Sequence, residues 1–231
     1  MPQGSAPGKN SLPTEHYKIH YDRNDIRTNG TEMIQLLSDV FKESEQGINK
    51  ADKVWPITFR QSLMRLIYKK SESTDRVLKK NYRSITLQNI NYKIFYKVLA
   101  NRLSKIIHKV ISYNQFAYIP GRVISDPIYM IKFILQRARS NKSKQTALFA
   151  DLAKAFDTVG HIFIEAILNA MGFPTRFISW VMMSFRKTEV QIIVNGFLTK
   201  PYKPGAGGKQ GDPLFPLIFI CVMLGLIAMI E

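Results

Sequence analysis

The segment from Phe149 to Asp157 offers the clearest chemistry in this chain. An apolar run ends at the carboxylate of Asp151, and Phe156 and Asp157 follow five and six residues later. Carboxylate oxygens are the ligands that Mg²⁺ prefers, and a bound Mg²⁺ ion can neutralise phosphate oxygens. A lone aspartate at the end of a strand is usually a cap or a surface residue, so the surrounding sequence must decide its role. We expect Asp157 to be structural and to cap the turn that follows.

The charge balance indicates a polyanionic partner. Lys and Arg total 33 against 17 Asp and Glu, which gives a formal net charge of +16. Between Arg60 and Lys109 there are 13 Lys or Arg residues against Glu72 and Asp75. Such an excess favours nucleic acid over a merely solvated basic surface. The single cysteine, Cys221, excludes an internal disulfide and fits an intracellular setting, nuclear or cytoplasmic.

Hydrophobic spacing predicts helices and strands in an α+β order, with helices packed on a small antiparallel sheet. Residues 31–50 have helical spacing, and Asp126-Pro127 resembles an N-cap followed by the first turn of a helix. The predicted helices are 31–50, 91–111, 126–139, 161–171 and 175–187, and the predicted strands are 63–68, 84–87, 146–152, 189–194 and 197–202. The last two strands flank Asn195-Gly196, a typical hairpin turn.

One apolar stretch, from Leu214 to Ile230, permits two interpretations. It contains 17 residues without a charge, which is the lower limit for a membrane span. Pro216 and Gly225 interrupt it, and no basic flank follows. We therefore expect a buried helix, with a membrane-spanning helix as the second interpretation.

Several short segments resemble one family when taken in order. The segments are NYRSI (81–85), NYKI (91–94), LANRL (99–103), QFAYIPGR (115–122), DLAKAFDTV (151–159) and GKQGDPL (208–214). Together with PGKNSLPTEHYK (7–18), they resemble the motifs of reverse transcriptases from non-LTR (LINE-type) retrotransposons. The resemblance covers nearly the whole chain, from about residue 6 onward.

The resemblance implies a fold and a set of partners. The fold is a right-hand polymerase with an N-terminal extension and helical lead-in (1–60), a fingers-like region (61–145) and an incomplete palm (146–231). Asp151 would be the catalytic metal ligand, and Mg²⁺ the implied ion. Arg122 would contact nucleic acid, in a loop where a structural turn is an equally good interpretation. The implied partners are an RNA or DNA template-primer and deoxynucleoside triphosphates.

The resemblance also assigns residues to the incoming nucleotide. Lys69 and Arg83 would contact its triphosphate. Phe156 would stack under the sugar and exclude a ribose 2′-hydroxyl. Gln210 would lie against the nucleotide, and Gly211 would let the backbone approach closely.

Other positions depart from the family pattern. Its third palm motif, an aromatic-x-Asp-Asp hairpin, would lie downstream of the last helix, and the sequence contains no Asp-Asp pair. Phe215 stands where a serine is usual, and Ala206 where an arginine is usual. We therefore expect a reverse transcriptase fragment that cannot polymerise by itself. The alternative is a non-catalytic basic nucleic-acid-binding protein derived from a retroelement.

Overall fold

The computed structural model describes residues 57–69, 81–142, 146–186 and 188–227. It also describes residues 9, 39, 42, 78 and 144. The opening motif (7–18) and the predicted helix over 31–50 lie outside the described residues, apart from Lys9, Asp39 and Lys42. Asp39 and Lys42 are both helical.

Two strand pairs flank a run of six helices in the described part of the chain. The helices are α1 (Ile57–Arg60), α2 (Ile90–Ser104), α3 (Ile107–Val110), α4 (Ser125–Ser140), α5 (Ala155–Thr158), α6 (His161–Ala170), α7 (Thr175–Met183) and α8 (Phe215–Ile227). The strands are β1 (Gln61–Tyr68), β2 (Tyr82–Gln88), β3 (Glu189–Val194) and β4 (Phe197–Leu198). The predicted α+β class is therefore confirmed.

The four strands form one sheet in the order β2-β1-β3-β4. β1 pairs with β2 in antiparallel register from Ser62↔Gln88 to Tyr68↔Tyr82. β1 pairs with β3 in parallel, so the sheet is mixed rather than wholly antiparallel as predicted. This pairing joins strands from the predicted fingers-like region and the predicted palm, and the division into those regions stays a prediction.

The β3–β4 hairpin is confirmed, and its turn explains its geometry. Asn195 and Gly196 both have positive φ, 50° and 87°. Two-residue hairpin turns of this kind need positive φ at both central positions, which Asn-Gly tolerates well. β4 itself is short, but Val190 and Tyr202 exchange two backbone hydrogen bonds of 2.9 and 3.0 Å. These bonds extend the hairpin beyond the regular strand.

The predicted strand over Thr146–Leu152 is wrong. These residues have no regular secondary structure and pair with no described strand. Leu148 and Phe149 are 89% and 74% exposed. A strand needs a neighbour for its backbone groups, and local apolar sequence cannot supply one.

Two helix boundaries also differ from the prediction. The helix predicted over 91–111 is broken at Lys105 and Ile106 into α2 and α3. Asp126 is not the N-cap of α4, because the helix begins at Ser125 and Asp126 lies in its first turn. A carboxylate there still interacts favourably with the positive end of the helix dipole.

The core lies where α2, α6, α7 and α8 meet. α2 buries one face, including Phe95 and Leu99, while α6 contributes Ile164 and Leu168. Six residues of α8 are buried, as the buried-helix interpretation predicted: Phe215, Leu217, Ile218, Ile220, Cys221 and Val222. Within the described part of the chain, no helix has both the length and the apolar character needed to cross a membrane.

Helix α6 allows a matched test of this core. Ile164 is fully buried, whereas Ile162, two residues away, is 86% exposed. We expect Ile164→Ala to lower the free energy of unfolding by about 2–5 kcal/mol, because it leaves a cavity in the packed core. Ile162→Ala should change it by no more than about 0.5 kcal/mol. Urea unfolding followed by circular dichroism measures both, and equal losses would contradict this packing.

Candidate nucleotide and nucleic-acid site

Lys69 and Arg83 lie on adjacent chains at one end of the sheet. Ile67 is directly opposite Arg83 in the β1–β2 register, and the Lys69 backbone N–H donates to the Asn81 carbonyl at 2.7 Å. Opposed residues face the same side of a sheet, and so do residues two apart. Lys69 and Arg83 therefore share a face as diagonal neighbours, with side chains that start about 7–8 Å apart. Both are exposed, so together they can hold one polyanionic group.

A backbone hydrogen bond attaches the glycine-rich loop over residues 205–211, called the Gln210 loop, to the outer edge of β2. The Thr86 N–H donates to the Gln210 carbonyl at 3.1 Å. A Cβ on Gly211 would lie 3.4 Å from the Thr86 carbonyl oxygen, and Gly211 has a φ of 104°. Arg83 is three residues along the same strand, or about 10 Å away. Gln210 and Gly211 thus lie beside the strand that carries Arg83, although the side chains of Arg83 and Thr86 are on opposite faces of it.

The glycine pair Gly207–Gly208 ties the same loop to the segment that follows Asp151. The Gly207 N–H donates to the Val159 carbonyl at 2.8 Å, and the Gly208 N–H donates to the Phe156 carbonyl at 2.9 Å. These bonds bring two of the predicted motifs, 151–159 and 208–214, into backbone contact.

Neither glycine tolerates a side chain. A Cβ on Gly207, whose φ is 77°, would lie 2.6 Å from the backbone oxygen of Asp157. A Cβ on Gly208 would overlap the ring of Phe215. The bulky Phe215 fits where the family usually has serine because Gly208 leaves room for its ring.

Phe156 packs into an aromatic cluster with residues of α8. Its ring stacks on Phe219 at 4.6 Å with an interplanar angle of 19°, and it meets Phe215 edge-on at 5.4 Å. Phe156 is partly buried, while Phe215 is 3% exposed. Most of the Phe156 ring therefore contacts the protein, and only its exposed part can meet a ligand.

A buried polar cluster stabilises the start of α8. One Asp212 carboxylate oxygen, Oδ1, accepts hydrogen bonds from the backbone N–H groups of Leu214 (2.7 Å) and Phe215 (3.1 Å). The other, Oδ2, accepts a hydrogen bond from the Tyr92 hydroxyl of α2. The Lys209 ammonium lies 4.4 Å from the centre of the Tyr92 ring, and among the described residues it has no hydrogen-bond partner. Asp212 thus caps α8 and links it to α2 beside the Gln210 loop.

Burial perturbs the ionisation of this cluster. It raises the pKa of Asp212, although the Tyr92 hydroxyl and the two backbone N–H groups oppose the shift. Burial lowers the pKa of Lys209 to about 8, and the negative charge of Asp212 only partly offsets this. The pKa of Tyr92 is raised well above its usual value by burial and then by Asp212. In all three side chains burial favours the neutral form, because a charged group loses its hydration when water is excluded.

A cavity of about 430 Å³ adjoins the Gln210 loop. Thr86, His161, Phe185 and Gly207 are among its lining residues. The His161 ring stacks on Phe185 at 4.4 Å, and its Nε2 lies 2.9 Å from the Gly207 carbonyl oxygen. The loop is therefore held on the cavity side as well as at the edge of β2.

Asp151 does not lie in a formed metal site. It is exposed in the irregular segment before α5. Among the described residues, no group of three or more His, Cys, Asp or Glu side chains could hold a metal ion. Mg²⁺ usually requires six oxygen ligands in near-octahedral geometry, and one exposed carboxylate supplies few of them. The described residues therefore do not fit a two-metal site.

Arg122 is engaged within its own loop. Its Nη1 donates to the Ser112 carbonyl at 2.7 Å and also to the Gln115 carbonyl. Its guanidinium carbon lies 5.5 Å from the centre of the Tyr113 ring. Both proposed uses of this residue, shaping the loop and contacting nucleic acid, are compatible with this arrangement.

Comparison with known proteins places these motifs in one family. The family model described as "Reverse transcriptase (RNA-dependent DNA polymerase)" matches residues 67–231, which is more than half of the chain. The chain belongs to the reverse transcriptase family. The resemblance seen in the motifs is thereby confirmed, and the domain is polymerase-like.

Relatives of this reverse transcriptase domain come from non-LTR retrotransposons. The "Transposon TX1 uncharacterized 149 kDa protein" of Xenopus laevis is 30% identical over 93% of this chain and 15% of its own length. The "Retrovirus-related Pol polyprotein from type-1 retrotransposable element R2" of Nasonia vitripennis is 27% identical over 62% of this chain and 14% of its own length. The "Probable RNA-directed DNA polymerase from transposon BS" of Drosophila melanogaster is 24% identical over 60% of this chain and 16% of its own length. The chain spans about one seventh of the length of these relatives.

Membership in the reverse transcriptase family carries two general properties. Members bind a nucleic-acid template, and they depend on divalent metal ions. The roles of the individual residues named above stay predictions.

Sequence reasoning did not find the Tyr92–Lys209–Asp212 cluster. Asp212-Pro213 before an apolar helix is a typical N-cap and first-turn pattern, so the cap was within reach. Nothing in the spacing connects Tyr92 to Asp212, because they are 120 residues apart. Only the packing of α2 against α8 brings them together.

The glycine pair yields a test with an internal control. We expect Gly208→Ala to lower the free energy of unfolding by about 1–3 kcal/mol, because the new methyl group overpacks against the Phe215 ring. Gly205→Ala should have little effect, because no atom lies within 4 Å of a Cβ there. Adding Phe215→Ser should reduce the loss from Gly208→Ala, and a double-mutant cycle in urea measures this coupling. Strictly additive losses would contradict the predicted contact.

The buried Lys209 predicts a pH-dependent stability. Its pKa is about 8 in the folded protein and about 10.5 when unfolded, so between these values the unfolded state binds more protons. The Lys209 contribution to stability should therefore rise by up to roughly 3 kcal/mol as the pH increases from about 8 to 10. The buried Cys221 thiol, whose pKa is raised to about 12, contributes in the opposite direction above about pH 9. Lys209→Met should remove the Lys209 contribution from the slope, whereas Lys200→Met, at an exposed position, should preserve it. Urea unfolding across this pH range measures the slopes, and an unchanged slope in Lys209→Met would refute the assignment.

Proposed function

We propose that this chain is the nucleotide-holding and template-holding part of an RNA-directed DNA polymerase from a non-LTR retrotransposon, and that it cannot polymerise by itself. The observation that carries the proposal is the backbone hydrogen bond between Thr86 of β2 and Gln210. It joins the strand that bears Arg83 to the loop that bears Gln210. A nucleotide needs contacts to its phosphates and to its base or sugar at the same time, and this junction supports both.

The phosphate contacts are assigned to Lys69 and Arg83. They share one face at the exposed end of the β1–β2 pair. Arg supplies a planar fork of donors that suits phosphate oxygens, and Lys supplies a compact charge. The proposed ligand of this pair is the triphosphate of a deoxynucleoside triphosphate.

The base and sugar contacts are assigned to Gln210, Gly211 and Phe156. Gln210 is exposed and is held by its own backbone, so its side chain can reach a ligand. The positive φ of Gly211 allows the backbone to approach a base pair closely. Phe156 would use its exposed part beneath the sugar, while Phe215 and Phe219 support the rest of the ring.

Asp151 is proposed as one ligand of a catalytic divalent ion, with Mg²⁺ as that ion. The ion would stabilise negative charge on phosphoryl oxygens. Because the described residues contain no group of three or more metal-ligating side chains, we assign no chemical step to this chain. The division into a lead-in (1–60), a fingers-like region (61–145) and a partial palm (146–231) is proposed from the order of the motifs along the chain.

The second candidate function is nucleic-acid binding without catalysis. From Arg76 to Ser125 the sequence has ten Lys or Arg residues and no Asp or Glu. A stretch of this kind can bind phosphates in any sequence context, and the binding weakens with salt. Arg122 is the residue proposed to contact nucleic acid in this stretch.

Nucleotide binding tests the first proposal directly. We expect the chain to crosslink to a photoreactive deoxynucleoside triphosphate, and Lys69→Ala with Arg83→Ala to weaken this binding at least about tenfold, because two charged phosphate contacts are lost. Lys200→Ala removes an exposed lysine elsewhere and should leave the affinity unchanged. Equal affinities for the double variant and the parent chain would count against the assignment.

Primer extension tests the second half of the proposal. On an RNA template with a DNA primer and Mg²⁺, we expect no extended product from this chain. Robust synthesis that Asp151→Asn abolishes would show that the chain carries a complete catalytic site. The second candidate function is favoured if the chain shows neither primer extension nor crosslinking to the deoxynucleoside triphosphate but binds the template in a salt-dependent manner.

A further inference from the structure

We propose that helix α3 and the loop over residues 112–122 form a platform for single-stranded nucleic acid, on which Tyr113 and Tyr118 stack unpaired bases. The platform deepens the proposed function. It rests on that function in one respect, namely that the chain binds nucleic acid. The proposal assigns the platform to two tyrosines outside the proposed nucleotide site.

The first observation is the exposure of the two rings. Tyr113 is 83% exposed and Tyr118 is 60% exposed. Exposed aromatic rings beside cations are the usual stacking surface of proteins that bind single strands. Every base has a π-face, so this contact tolerates any sequence.

The second observation is that the loop is held rigidly. Arg122 donates from Nη1 to the Ser112 and Gln115 carbonyls, and its own backbone N–H donates to the Ile119 carbonyl at 3.2 Å. Ile119 is 4% exposed and anchors the loop in the core. A rigid platform loses little conformational entropy when a ligand binds.

The backbone at Tyr118 supports the same conclusion. Tyr118 has a φ of 61°, a left-handed conformation that side chains other than glycine rarely adopt. The next residue, Ile119, is buried while Tyr118 is exposed. Strained residues of this kind persist only where the surroundings enforce them, and they concentrate at ligand sites.

Arg122 gives the platform a second planar group. Its guanidinium carbon lies 5.5 Å from the centre of the Tyr113 ring. Guanidinium planes, like aromatic rings, stack on unpaired bases. Arg122 therefore acts as a positioning residue for the loop and as a neighbour of the stacking ring.

Two exposed lysines lead into the loop, Lys105 just before α3 and Lys109 within it. Lys109 is four residues before Tyr113. No acidic residue occurs between Asp75 and Asp126, so no carboxylate in this stretch competes with phosphates for these cations. The cations would bind the backbone, while the rings bind the bases.

The chemistry favours single strands over duplexes. A base inside a duplex is already stacked on both sides, so only an unpaired base can offer its face to Tyr113 or Tyr118. RNA and DNA share these base faces. The platform is therefore expected to accept oligomers of either kind.

Fluorescence anisotropy with labelled oligomers of about 12 nucleotides tests the platform. We expect Tyr113→Ala with Tyr118→Ala to weaken binding of oligothymidylate and oligouridylate by at least about tenfold. Tyr113→Phe keeps the ring and should bind as the parent chain does. An abasic DNA oligomer of equal length should bind the parent and the double variant alike, because it offers no base to stack.

Lysine variants separate this proposal from nucleic-acid binding in general. Lys105→Gln with Lys109→Gln should weaken every oligomer, including the abasic one, and should reduce the salt dependence of binding. If the lysine variant weakens binding but the tyrosine variant does not, the stacking platform is overturned and nucleic-acid binding stands. If the parent chain binds no oligomer at low salt, both the platform and nucleic-acid binding fail.

Folding controls complete the experiment. The tyrosine variants should unfold at the same urea concentration as the parent chain, because both side chains are exposed. Equal weakening of the thymidylate and abasic oligomers by the tyrosine variant would overturn the proposal, since the rings would then act through loop structure and not through bases.

Discussion

The buried carboxylate of Asp212 is the contact on which the candidate site depends. It accepts two backbone hydrogen bonds at the start of α8 and one from the Tyr92 hydroxyl of α2. Because Asp212 follows Gln210 and Gly211 directly, these bonds hold the end of the Gln210 loop against the core. A buried charge without such partners would be strongly destabilising, so the loop, the cap and the helix contact stabilise one another.

Close backbone packing completes what Asp212 begins. Gly207 and Gly208 let the loop reach the chain segment after Asp151, and the same absence of side chains leaves room for Phe215. Phe215 then supports Phe156. The phenylalanine at position 215, where the sequence pattern leads us to expect serine, is thus accommodated by a neighbouring glycine, and its ring contacts Phe156.

The two sides of the domain differ in how completely their apolar residues are covered. α2, α6, α7 and α8 bury theirs in one core, whereas none of the residues of α4 is buried. The segment over residues 146–152 is likewise exposed and carries Asp151. A carboxylate gains fixed geometry only from ordered neighbours. Because this segment is exposed, Asp151 has no such neighbours among the described residues to complete a metal site.

Much of this protein was determined by local sequence. The Asn195-Gly196 turn, the strands over residues 61–68 and 82–88, and the apolar helix after Pro213 follow from turn chemistry and hydrophobic spacing, which act between near neighbours. The ordered motifs likewise identified the reverse transcriptase family, because each residue type is constrained by the chemistry it serves. Tertiary structure alone decided the rest. The parallel pairing of β1 with β3, the Tyr92–Asp212 contact and the failure of residues 146–152 to form a strand all depend on partners distant in the chain, and hydrogen bonding and packing across such distances leave no periodic signal in the sequence.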